Sequence, residues 1–114
     1  MIQRFGSGKR MSEAVVHNGT VYLAGQVATD IDLDVEGQTR QVLAAVDRLL
    51  AEVGSDKSKV LRAEIFLADI GDFAEMNLAW DAWVPAGATP ARATVEARLY
   101  RPEVLVEILV TAAV

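Results

Sequence analysis

Val104-Leu105-Val106-Glu107-Ile108-Leu109-Val110-Thr111-Ala112-Ala113-Val114 ends the chain. Apolar residues stand at both parities of this run, and side chains of a strand alternate between faces. A strand built from it therefore reads as buried on both sides. Val21 to Val27 has the same character. What surrounds these two runs decides the fold.

Upstream of the last strand, Arg92–Leu99 alternates strictly, with Ala93, Val95, Ala97 and Leu99 against Arg92, Thr94, Glu96 and Arg98. This predicts a strand whose polar set faces solvent. Pro85, Gly87 and Pro90 form the linker before it. Phe73, Met76, Trp80 and Trp83 follow Asp72 at spacings of three, four and three, a helix with Asp72 as N-cap and an aromatic stripe read as core packing. Lys59–Leu67 alternates as a strand, with Leu61, Ala63, Ile65 and Leu67 on its apolar face. Val35 to Val53 carries Val42, Leu43, Val46, Leu49, Leu50 and Val53 at helical spacing, and Gly54 supplies the stop. Asn18-Gly19 is a type I′ turn signal, pairing Glu13–His17 with Thr20–Val27 in a hairpin behind an edge strand at Ile2–Phe5.

The predicted order is βββαβαββ in one domain spanning residues 1–114. This is an α+β two-layer sandwich, one mixed sheet with two helices on one face. Two helices cover one side only. A second copy of the chain is the simplest cover for the other, so the pattern predicts a homo-oligomer.

The chain has 114 residues, 52% of them hydrophobic and 24% charged, with a net charge of −5. That balance repels phosphate backbones and argues against a nucleic-acid partner. Cysteine is absent and His17 is the single histidine, which excludes thiol nucleophiles and argues against zinc. Asp30, Asp32 and Asp34 suggest a calcium loop, but Val35 and Gln41 stand where an EF-hand needs glycine and glutamate. No h-region opens the sequence and no run approaches the roughly 20 apolar residues of a membrane helix, so a soluble cytoplasmic protein without a membrane partner is expected.

Few residues carry chemistry. Glu107 interrupts an apolar strand, where a carboxylate needs a partner, a functional role or an exposed position. Arg92 opens a strand behind Thr89-Pro90-Ala91, which suits either bidentate carboxylate recognition or a plain solvated arginine. Asn77 breaks the aromatic stripe, and Gly25 lies inside a predicted strand, where glycine marks a bulge or a close approach. Thr94 and Ser12 have no basic neighbour in sequence, and no Walker loop is present.

Ala24-Gly25-Gln26, Gln38-Thr39, Leu49-Leu50-Ala51-Glu52-Val53-Gly54, Phe73-Ala74-Glu75-Met76-Asn77 and Pro90-Ala91-Arg92-Ala93-Thr94-Val95-Glu96 occur in order, followed by Val106-Glu107-Ile108. In these segments the chain resembles the Rid (reactive intermediate deaminase) or YjgF family, from about Val15 to the end. The resemblance implies a chorismate-mutase-like fold, a homotrimer and three clefts between subunits. It implies hydrolysis of enamines and imines such as 2-aminoacrylate to a 2-keto acid and ammonia, with no cofactor and no metal.

By the same resemblance Arg92 matches the arginine that clamps the substrate carboxylate, and Glu107 the glutamate that positions or activates water. Gly25 matches the substrate-contacting strand and Asn77 an asparagine near the cleft. Met11 stands where typical members have tyrosine, Ala24 where serine is common and Thr94 where cysteine is frequent. These three complete the expected substrate-binding set and imply a more apolar pocket in a divergent branch. The alternative is a non-catalytic trimer that binds a small carboxylate metabolite or a partner enzyme. A ribonuclease or translation-inhibitor role fits poorly with the net charge of −5.

Overall fold

Asn18 and Gly19 both adopt positive φ, 52° and 76°, and close a two-residue turn in which His17 faces Thr20. This is the geometry that a right-twisted hairpin requires of its loop. The computed structural model describes residues 1–114. The turn joins β2 (Ala14–His17) to β3 (Thr20–Leu23), and β1 (Gln3–Phe5) pairs antiparallel with β2 at the sheet edge. After a short β4 (Gln26–Val27), α1 runs Val35–Glu52, β5 Val60–Leu67, α2 Phe73–Trp83, β6 Ala91–Glu96 and β7 Val106–Ala113. One sheet results, in the order β1-β2-β3-β7-β5-β6, with β4 also beside β7. Only β5 and β6 run parallel, so the sheet is mixed, as expected.

Asp34 caps α1, its side chain accepting the Gly37 N–H at 2.8 Å. The α1 stripe and Met76, Trp80 and Trp83 of α2 bury against Val21, Leu23, Ala63, Ile65, Leu67, Val106, Ile108 and Val110. Gln38 is fully buried on α1 and serves the chain around it. Its amide nitrogen donates to the Leu33 and Glu103 carbonyls at 3.1 and 2.9 Å, and its oxygen takes the Leu105 N–H at 2.9 Å. These bonds hold the entry to β7.

Five expectations need correction. Thr20–Val27 is two strands: Gln26 lies four residues on from Tyr22, yet their partners in β7, Thr111 and Ile108, are three apart. The extra residue is a bulge at Ala24-Gly25, so Gly25 sits between strands rather than within one. Leu61 is exposed because a second irregularity, between Val60 and Arg62, puts Val60 inward in its place. Asp72 precedes α2 but makes no side-chain cap; Asp69, one turn earlier, accepts the Gly71 N–H at 2.8 Å.

The last two corrections concern the edge strand β6. It stops at Glu96 rather than Leu99, because after Ala97 donates to the Leu67 carbonyl the chain leaves across the end of β5. Its alternation is also inverted. Arg92 and Thr94 align with the inward-facing Ala63 and Ile65 and so look toward the helices. Ala91, Ala93 and Val95 look the other way and are exposed. The helix-free face carries Val15, Tyr22, Phe66, Val95 and Leu109 beside Arg62, Glu64, Glu107 and Thr111, and no element of this chain covers its apolar residues.

Candidate active site

β6 and α2 build one cluster. Arg92 leaves the helix-side face of β6, and α2 meets it with Phe73, Asn77 and Trp80, residues four and three apart on one helix face. Arg92 Nη1 donates to Asn77 Oδ1 at 2.7 Å. Its guanidinium carbon lies 5.0 Å from the Trp80 ring centroid and 5.7 Å from that of Phe73, within cation–π range. Burial pulls the guanidinium pKa below its ordinary value, and the charge of Asp81 opposes this in part. No carboxylate forms an ion pair with Arg92. Thr94, two residues on and facing the same way, has a buried hydroxyl without a hydrogen-bond partner.

β7 and the bulge build the other cluster. Glu107 pairs with Phe66 of β5 on one side and Val27 of β4 on the other. It lies on the helix-free face, and its side chain makes no ion pair within the chain. The carboxylate rests over the Gly25 backbone. A Cβ on Gly25 would stand 2.1 Å from Glu107 Oε2, inside any permitted contact. Glycine is therefore required for this placement of the carboxylate, whatever its role in the turn.

Ala24 adjoins Gly25; it donates its N–H to the Glu13 carbonyl at 2.8 Å and accepts the Gln26 side-chain amide at 2.9 Å. Met11 is exposed two residues before Glu13, so the Glu13 bond ties its loop to the Gly25 side. No three metal-ligating side chains gather anywhere on the chain.

The structure thus brings the expected residues together in two groups. Arg92, Asn77 and Thr94 share the helix-side face; Glu107, Gly25 and Ala24 belong to the opposite side. The two groups do not meet within one chain. Phe73 and Trp80, read from sequence as core packing, belong to the arginine cluster, and Phe73 is 43% exposed. Their spacing about Asn77 is the signal that could have revealed them.

The family model described as Endoribonuclease L-PSP matches residues 1–114. A RutC family protein of Haemophilus ducreyi is 47% identical over 100% of this chain and 97% of its own length. The RutC family protein YoaB of Escherichia coli K12 is 50% identical over 99% of this chain and 98% of its own. Among solved structures, a YjgF-family protein from Neisseria meningitidis superposes with a TM-score of 0.97 at 57% identity, covering 99% of this chain and 94% of that one. A Rid-family protein of unknown function from Yersinia pestis gives 0.86 at 33% identity, covering 95% and 90%. With its full length matched and its β6 and β7 motifs in place, the chain belongs to the YjgF/RutC/Rid family.

Proposed function

We propose that this protein hydrolyses small imine and enamine carboxylates to 2-keto acids and ammonia, in clefts formed between neighbouring copies of a homotrimer. The observation that carries the reading is the state of Arg92: oriented by an amide, lodged against two aromatic rings and unpaired with any carboxylate. A partly desolvated arginine with unused donors is built for an anion. The Glu107 cluster lies on the opposite face, so a neighbouring copy must supply the complementary half. The uncovered face of the sheet, with Tyr22, Phe66, Val95 and Leu109 on it, is where that copy would seat.

In such a cleft Arg92 holds the substrate carboxylate and fixes the distance of the imine carbon from Glu107. An imine takes a proton at nitrogen and an enamine takes one from water at its β-carbon; either gives an iminium and makes the imine carbon electrophilic. Glu107 takes a proton from water as its oxygen bonds to the carbon, giving a carbinolamine. Glu107 returns that proton to nitrogen, the C–N bond breaks and ammonia leaves, and Glu107 takes the hydroxyl proton as the oxygen becomes the keto group, passing it on to give ammonium. Positioning and general acid–base help are the two contributions required of the protein.

The second reading is a trimer that binds a small carboxylate, or a partner enzyme, without turnover. Met11 and Ala24 favour it, since neither provides a side-chain proton donor. Ammonia release from imines generated in situ by an amino-acid oxidase separates the two. Release above the spontaneous rate, lowered by Glu107→Gln with carboxylate binding kept, is expected of the deaminase. Release equal to the buffer control overturns it.

A further inference from the structure

We infer that Asn77 is a positioning residue that orients the Arg92 guanidinium while leaving its positive charge free, and that Phe73 and Trp80 complete a charge-preserving cradle for a carboxylate ligand. The inference rests on the reading of Arg92 as the carboxylate clamp and names how the clamp is kept ready.

An arginine on a sheet edge beside a helix has two ordinary fates. It swings into solvent, or it pairs with a helix carboxylate and is neutralised. Here neither happens. Asn77 Oδ1 accepts from Nη1 at 2.7 Å, which fixes one corner of the guanidinium through a neutral group. The rings of Phe73 and Trp80, four residues before Asn77 and three after, lie 5.7 and 5.0 Å away and favour a cation without cancelling its charge. Asp81, the next residue along this side of α2, makes no ion pair with Arg92. An aspartate at 77 would have nearly the same shape as asparagine and would consume the charge that the ligand needs. Choice of the amide over the acid therefore separates a binding arginine from a structural ion pair. Guanidinium has five N–H donors, so those not given to Asn77 remain for a ligand.

Calorimetric titration with 2-oxobutanoate at neutral pH tests this in the intact protein. Asn77→Asp should melt no lower than the parent, since it gains an ion pair, yet bind at least about tenfold more weakly. Asn77→Ser, still a neutral acceptor, should stay closer to the parent than Asn77→Asp does. On imine substrate, Asn77→Asp should raise KM by a larger factor than it lowers kcat. Phe73→Asp places the new charge at an exposed first-turn position of α2, where aspartate suits a helix, and should lose binding in the same way should Asn77→Asp not fold. Binding by a folded Asp variant within about twofold of the parent overturns the cradle, as does a parent that takes up no 2-oxobutanoate at millimolar concentration. A parent that binds the keto acid but releases no ammonia sinks the deaminase and leaves the cradle standing.

Discussion

Glu107 and Gly25 illustrate what a single missing atom leaves room for. The carboxylate occupies the volume that any Cβ at position 25 would claim, and that volume opens on the helix-free face. Since Gly25 does not adopt positive φ, alanine there meets no backbone penalty. Gly25→Ala should therefore fold and melt like the parent, with only the flexible end of Glu107 displaced. Ammonia release should drop about tenfold or more, while carboxylate binding, measured by calorimetry, stays near parental. Arg92→Lys tests the other half. Lysine keeps the charge but not the planar fork, so loss of the charge-assisted contact should weaken 2-oxobutanoate binding by about 1.5–3 kcal/mol, roughly ten- to a hundredfold. Full affinity in Arg92→Lys would remove the clamp from the mechanism.

At the scale of elements, α1 does more than cover the sheet. Gln38 reaches from its buried face to both sides of the chain entering β7, accepting from Leu105 and donating to Glu103. Glu107 follows two residues later, so α1 packing and the placement of Glu107 share a support. Gln38→Leu fills similar volume but leaves the Leu105 N–H and two or more carbonyls without partners. At about 1–3 kcal/mol for each buried group left unsatisfied, the variant should lose at least about 2 kcal/mol in denaturant unfolding. An unchanged midpoint would show that water replaces the amide. α2 has a parallel double duty: Met76 and Trp83 seal the core while Phe73, Asn77 and Trp80 hold Arg92. The aromatic stripe reads as core because burial and site share one helical period.

For the whole molecule, the proposed trimer must cover the apolar residues opposite the helices and bring the two proposed half-sites together. Both are met if neighbouring copies pack through that face. Sedimentation should give about three times the 12.3 kDa chain mass. A sharper measurement mixes two inactive variants. Arg92→Ala and Glu107→Gln, unfolded together and reassembled, should regain activity because some interfaces unite an intact Arg92 with an intact Glu107. Random mixing in a closed ring of three predicts about a quarter of the parental rate. No recovery from properly mixed trimers would place both halves of the site within one chain's reach and contradict the shared cleft.

The division between what sequence determines and what tertiary structure decides follows from the range of the forces. The Asn18-Gly19 turn, the two helices with their stops, the β5 and β7 strands and the α+β order were legible, since turn chemistry and hydrophobic period act over a few residues. The proposed roles of Arg92 and Glu107 rest on motif resemblance, and charges set on strands make them candidates. Which way Arg92 points was not legible. The alternation of β6 is symmetric on paper, and hydrophobic pattern alone sends its apolar set to the core. Register with β5 and the position of α2 turned the polar set inward, because the arginine finds an amide and two rings there. Gly25 marks a bulge or a close approach in the sequence, but that both hold follows only from a count of residues against β7, more than eighty positions away, and from Glu107 lying over its backbone. Local pattern decides what each segment is. Only the packed sheet decides which face each side chain takes, and that choice divides Arg92 and Glu107 between its two faces.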